Sequence, residues 1–123
     1  MKRDMGLIRK IAFIVEECEG SLIPSSIQIE GFTAKQIGYH CALMYESQLI
    51  DCIDIQTLSP QDPELIINRL TSRGHDFADA ARNEGVWKKT ITTIKNNVGS
   101  ATMEVLMQCL KLELRKTLGL PDG

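Results

Sequence analysis

The sequence predicts an α+β protein: helices at both ends and a β-hairpin between them. Three observations carry this. Apolar residues recur at three- and four-residue spacing over residues 4–18, 34–48 and the last fifty positions, the signature of amphipathic helices. Two β-rich runs, 50–56 and 65–70, flank a loop holding Pro60 and Pro63, and proline cannot donate to a ladder. The chain has 123 residues, 43% hydrophobic and 24% charged, enough for one core and one domain spanning 1–123.

The first helix, 4–18, carries Leu7, Ile8, Ile11, Ile14, Val15 and Cys18 on one stripe, and Gly20 stops it. Ser26–Glu30 alternates with period two and reads as a short strand. Thr33 and Gln36 form a capping-box pair for the second helix, whose inward stripe is Ala34, Ile37, Cys41, Met44 and Tyr45. The hairpin follows. Thr71 is an N-cap candidate for a helix through Phe77, Ala78 and Ala81. After an interruption at Gly85 the pattern resumes with Val86, Trp87, Ile91 and Ile94. Ser100 caps a last helix that Gly119 and Pro121 close near Leu118.

With 14 Lys and Arg against 16 Asp and Glu, a strongly basic nucleic-acid coat is excluded. The longest apolar run near the amino terminus, Ile11–Val15, ends at Glu16 and Glu17. It is too short for a secretory signal, and no window approaches a membrane helix, so a cytoplasmic protein without membrane contact is expected. Cys18, Cys41, Cys52 and Cys109 form no C-x-x-C pair and are read as small buried thiols in a reducing compartment.

Helix, short strand, helix and hairpin is also the chain order of a winged helix. The stretch Ile37–Ile50, with His40 ahead of an apolar residue and a closing Leu49-Ile50, resembles the recognition helix of bacterial winged-helix regulators. Arg69-Leu70-Thr71-Ser72-Arg73-Gly74 resembles the passage from their second wing strand into the following helix. A wider set of motifs covers nearly the whole chain: Met1–Met5 with Leu7–Lys10, Tyr39-His40, Leu70-Thr71 with Gly74–Phe77, and Val86–Thr90. Together they resemble the domain of unknown function 2513 family, which is bacterial and phage-associated. The resemblance implies a winged-helix-like part over 1–70 and a helical extension over 71–123, with no catalytic residues to carry over.

Two departures stand out. Only six residues separate Glu30 from Ile37, too few for a separate positioning helix. Gln48 stands where related helices end in Gly, the residue that takes positive φ without steric cost. Residues 32–70 hold only Lys35 and Arg69 against Glu46, Asp51, Asp54, Asp62 and Glu64, so the presumed reading helix and wing are the most acidic part. A wing tip of Ser59–Glu64 meets phosphate with repulsion.

The candidate nucleic-acid face is therefore Lys35, Gln36, Tyr39 and His40, with phosphate contacts from Arg73, Lys88 and Lys89 and from Arg3, Arg9 and Lys10. For His40, beside Cys41, a hydrogen-bonded structural role competes with base reading, and Trp87 reads as core. The last helix is apolar on two sides: Met103, Leu106, Met107, Leu110, Leu114 and Leu118 on one, Val105, Cys109 and Leu112 on the other. The second side calls for a symmetry mate and hence a homodimer; the plain alternative is a central position within one subunit. The motifs of nucleophilic hydrolases, P-loop nucleotide binders and zinc proteases are absent, so neither an enzyme nor a cofactor is expected. The expected function is a small DNA-binding transcriptional regulator acting on duplex DNA. The alternative is a protein-protein interaction module on a degenerate winged-helix frame.

Overall fold

The computed structural model describes residues 1–55, 64–97, 99 and 101–121. It is mixed α+β, with five α-helices and a two-stranded antiparallel sheet among those residues. The chain divides into two compact units, Met1–His75 and Asp76–Gly123.

In the first unit, helix α1 (Met5–Glu17) starts where Asp4 caps it, the Asp4 carboxylate accepting the Leu7 N–H at 3.1 Å. It buries Leu7, Ile8, Ile11, Ala12 and Val15, each worth about 1–3 kcal/mol of apolar burial for the larger side chains. Ile14 and Cys18, expected on that stripe, are only half-buried, because the buried face is centred on Ile8, Ile11 and Val15 and takes in Ala12 instead.

The strand expected over 26–30 does not form. Pro24–Ser26 is a single 3-10 turn, and the Ser26 hydroxyl donates to the Ile23 carbonyl at 2.6 Å. Proline without an N–H and serine bonding its own local backbone both favour a turn over a ladder. The β pairing falls earlier, at Leu22 alone, whose N–H and carbonyl exchange bonds of 2.9 and 2.8 Å with Ile67.

Helix α2 (Ala34–Glu46) has the expected capping box: Thr33 Oγ1 accepts the Gln36 N–H at 3.1 Å and Gln36 Oε1 accepts the Thr33 N–H at 2.8 Å. It buries Ile37, His40, Cys41 and Met44. Ala34 and Tyr45, placed on the inward stripe from spacing, face outward, since His40 rather than Tyr45 completes the buried face. Gln48 adopts φ 63 in the turn that follows, so the left-handed geometry that glycine would supply is kept and glutamine bears the steric cost.

Strands β1 (Ile50–Ile55) and β2 (Glu64–Leu70) pair antiparallel from Ile50↔Leu70 to Ile55↔Glu64. A bulge between Asp51 and Cys52 leaves Asn68 as the extra residue on β2. Ile50, Leu65, Ile67 and Leu70 are buried, so the ribbon turns an apolar face toward α1 and α2. The wing tip expected at Ser59–Glu64 falls on residues 56–63 and on the Glu64 side chain, outside the described residues.

Helix α3 (Ser72–Arg82) begins at Thr71, whose Oγ1 accepts the Gly74 N–H at 3.0 Å and donates to the Gln48 carbonyl. Asp76 lies one residue past the first turn of α3, not within it. In the second unit, the break after α3 is at Asn83 rather than Gly85: the Asn83 side chain accepts the Val86 N–H at 3.0 Å and caps helix α4 (Glu84–Asn97), and Gly85 is absorbed in its first turn. Trp87 is core, as its surroundings predict, edge-on to Phe77 with centroids 6.3 Å apart. Thr90, not Ile91, is fully buried beside it. Thr102 rather than Ser100 caps helix α5 (Met103–Leu118), accepting the Val105 N–H at 3.2 Å, and Gly119 closes it with φ 73. Helix α5 packs on α4 and buries Met103, Leu106, Met107 and Leu110.

Candidate nucleic-acid interface

The candidate face is built on α2, and His40 decides how α2 sits. His40 is 1% exposed. The Asp4 N–H, which can only donate, reaches Nε2 at 2.8 Å, so the ring proton sits on Nδ1 and donates to the Gln36 carbonyl at 2.7 Å. Both ring nitrogens are thus committed within the chain. His40 is not part of an exposed reading face; it is a strut between the start of α1 and the first turns of α2.

Gln36 is also committed, its side-chain oxygen closing the capping box. What remains outward on α2 is a ridge at helical spacing, Lys35, Tyr39 and Glu46, with Ala42 half-buried between them. Tyr45, also 40% exposed, stands beside it. Tyr45 was missed because its spacing from Cys41 looks inward; the sequence-level signal was its hydroxyl, which needs a partner when buried. Tyr39 stacks edge-on against His40 with centroids 5.6 Å apart, which steadies an otherwise solvent-facing ring.

Of the supporting cations, Arg73 is half-buried in the first turn of α3 and has an interaction of its own within the chain. Lys88 and Lys89 are exposed on α4, in the second unit. The structure therefore places Lys35, Gln36, Tyr39 and His40 together on one helix, with Arg73 in the same unit. On α1, the Arg9 guanidinium lies 5.2 Å from the Phe13 ring centroid and the Lys10 ammonium 5.6 Å from that of Phe32, so both charges sit over aromatic rings. On the hairpin, Arg69 pairs with Asp51 at 3.9 Å and donates to the Leu70 carbonyl at 2.9 Å. That leaves its guanidinium engaged at the ribbon's own surface.

Cys41 is the one cysteine fully buried; Cys18, Cys52 and Cys109 are half-buried, less enclosed than expected, and all four are free thiols. Burial first, and neighbouring Cys52 second, push the Cys41 thiol up to about 12, so it stays neutral and inert. Among the described residues, no group of three or more His, Cys, Asp and Glu is placed to hold a metal ion. Among them, too, no helix is long and apolar enough to cross a membrane. On α5, Val105 and Leu112 are exposed and Cys109 is half-buried.

The hypothetical-protein family DUF2513 matches residues 2–101. An uncharacterised protein of Haemophilus influenzae is 35% identical over 111 residues, covering 88% of this chain and 91% of that relative. No solved structure matches the chain significantly. The matched span takes in α1, the α2 ridge, the hairpin, α3 and α4, and the chain belongs to the DUF2513 family.

Proposed function

We propose that this protein is a small, non-enzymatic, winged-helix-like DNA-binding regulator of bacterial or phage origin, working in the cytoplasm. The observation that carries the reading is the α2 ridge. Lys35 and Tyr39 face solvent from a helix held at its start by the Thr33–Gln36 box and the Asp4–His40 bond. That is the rigid, preorganised helix that groove reading needs. The frame around it supports the same reading: α1, a single β-bridge at Leu22, one 3-10 turn at Pro24–Ser26, α2 and a two-stranded ribbon. This is the winged-helix order with its short strand reduced to one residue.

A second reading, a protein-interaction module on the same frame, is favoured by charge. Lys35 and Arg69 are the only Lys or Arg between 32 and 70, and Arg69 is paired with Asp51, so this region offers phosphate little. Fluorescence-anisotropy titration with a random duplex at low salt separates the two. The DNA reading expects micromolar binding whose salt slope falls by about one when Lys35 becomes Glu. No binding to any duplex at micromolar protein overturns it in favour of the interaction module.

A further inference from the structure

The first unit, Met1–His75, holds seven lysines and arginines, and the fold engages five of them. Arg69 is paired with Asp51, the charges of Arg9 and Lys10 lie over Phe13 and Phe32, and Arg3 and Arg73 have interactions of their own within the chain. Among the described residues of this unit, that leaves Lys2 and Lys35, both exposed. Lys35 stands on the outward ridge of α2, and Lys2 belongs to the short segment ahead of α1.

The Asp4–His40 bond brings the two lysines into one neighbourhood. The Asp4 N–H lies 2.8 Å from His40 Nε2, and two residues of chain, a span of at most about 7 Å, separate it from Lys2. Tyr39 packs against the same imidazole with ring centroids 5.6 Å apart, and Lys35 precedes Tyr39 by one helical turn. The acids nearby are accounted for: the Asp4 carboxylate accepts the Leu7 N–H, and Glu46 stands at the far end of the ridge, about 16 Å along the axis from Lys35. Ammonium groups are compact, mobile point charges, suited to phosphate oxygens rather than to the fixed donor and acceptor pattern of base edges.

We infer that Lys2 is a phosphate-contacting residue of the α2 interface, so that the segment ahead of α1 and the α2 ridge bind duplex DNA as one surface. The inference rests on the DNA reading of α2 and adds to it a cation that residues 32–70 lack. Fluorescence anisotropy with a random duplex over a salt series tests it on the full chain. Lys2→Glu should weaken binding to every sequence alike and lower the salt slope by about one, the double variant with Lys35→Glu by about two, while Lys2→Arg keeps the slope. An unchanged urea midpoint shows that Lys2→Glu is folded. Wild-type binding with a slope indifferent to Lys2→Glu overturns this inference alone. So does an equal loss from Lys95→Glu, an exposed lysine of the second unit, since the effect is then one of net charge. Absence of wild-type binding overturns the DNA reading itself, and this inference with it.

Discussion

The backbone N–H of Asp4 bonds Nε2 of His40 at 2.8 Å, across a separation of 36 residues. Asp4 is at the same time the N-cap of α1. One residue therefore starts the first helix and fastens it to the second, and a single buried imidazole receives the fastening.

Removing that imidazole tests its role. His40→Ala leaves the Asp4 N–H and the Gln36 carbonyl without their partner and opens space between α1 and α2. The expected loss is about 2–4 kcal/mol, seen as a lower midpoint in urea unfolding. Lys35→Ala on the outward ridge should leave that midpoint within about 0.5 kcal/mol of wild type. Equal midpoints for the two variants would show that His40 is not a strut.

The turn between α2 and β1 makes two opposite predictions. A Cβ on Gly74 would collide with the Leu49 carbonyl oxygen, which is backbone and cannot yield. Gly74→Ala should therefore destabilise by about 3 kcal/mol or more, beyond ordinary overpacking. Gln48, at φ 63, bears a strain that glycine would not, so Gln48→Gly should raise stability by about 1 kcal/mol. Thermal unfolding of the pair reads both signs, and a neutral Gly74→Ala would refute the close approach.

Cys41 predicts a pH dependence. Its thiol, ordinarily near 9.0, is held up to about 12 by burial, so the folded state keeps a proton that the unfolded state releases. The stability this contributes is complete below about pH 9 and is lost as pH climbs toward 12. Between pH 9 and 11 the urea midpoint of the wild type should fall more steeply than that of Cys41→Ala. At neutral pH, Cys18, Cys52 and Cys109 should react with a disulfide reagent well before Cys41 does. Equal rates for all four thiols would contradict the burial.

Local chemistry explains which elements were legible from residues alone. The Thr33–Gln36 box, the hairpin partners Ile50–Ile55 and Glu64–Leu70, Trp87 in the core and the Gly119 stop all rest on interactions a few residues long or on a clear apolar period. The errors lie where two local signals competed. Ser26–Glu30 alternates like a strand, yet Pro24 and the Ser26 hydroxyl hold its start in a turn. Asn83 displaced Gly85 as the break, and Thr102 displaced Ser100 as the cap, because a side chain that accepts a helix N–H sets a boundary more firmly than a nearby flexible or polar residue. The candidate face was half legible. Lys35 and Tyr39 stand outward as spacing requires, whereas Gln36 and His40 are consumed by the fold.

The order of residues by itself determined the α+β character, the caps at Thr33 and Thr71, the hairpin and the family, since each depends on short-range sterics, hydrogen bonding or motif. Only the tertiary structure decided that His40 is a strut, that Leu22 rather than residues 26–30 pairs with Ile67, and that Gly74 must lie against Leu49. These are contacts between segments 25 to 45 positions apart. A side chain's role at such a contact is set by what the other segment offers, and that offer exists only once both are folded.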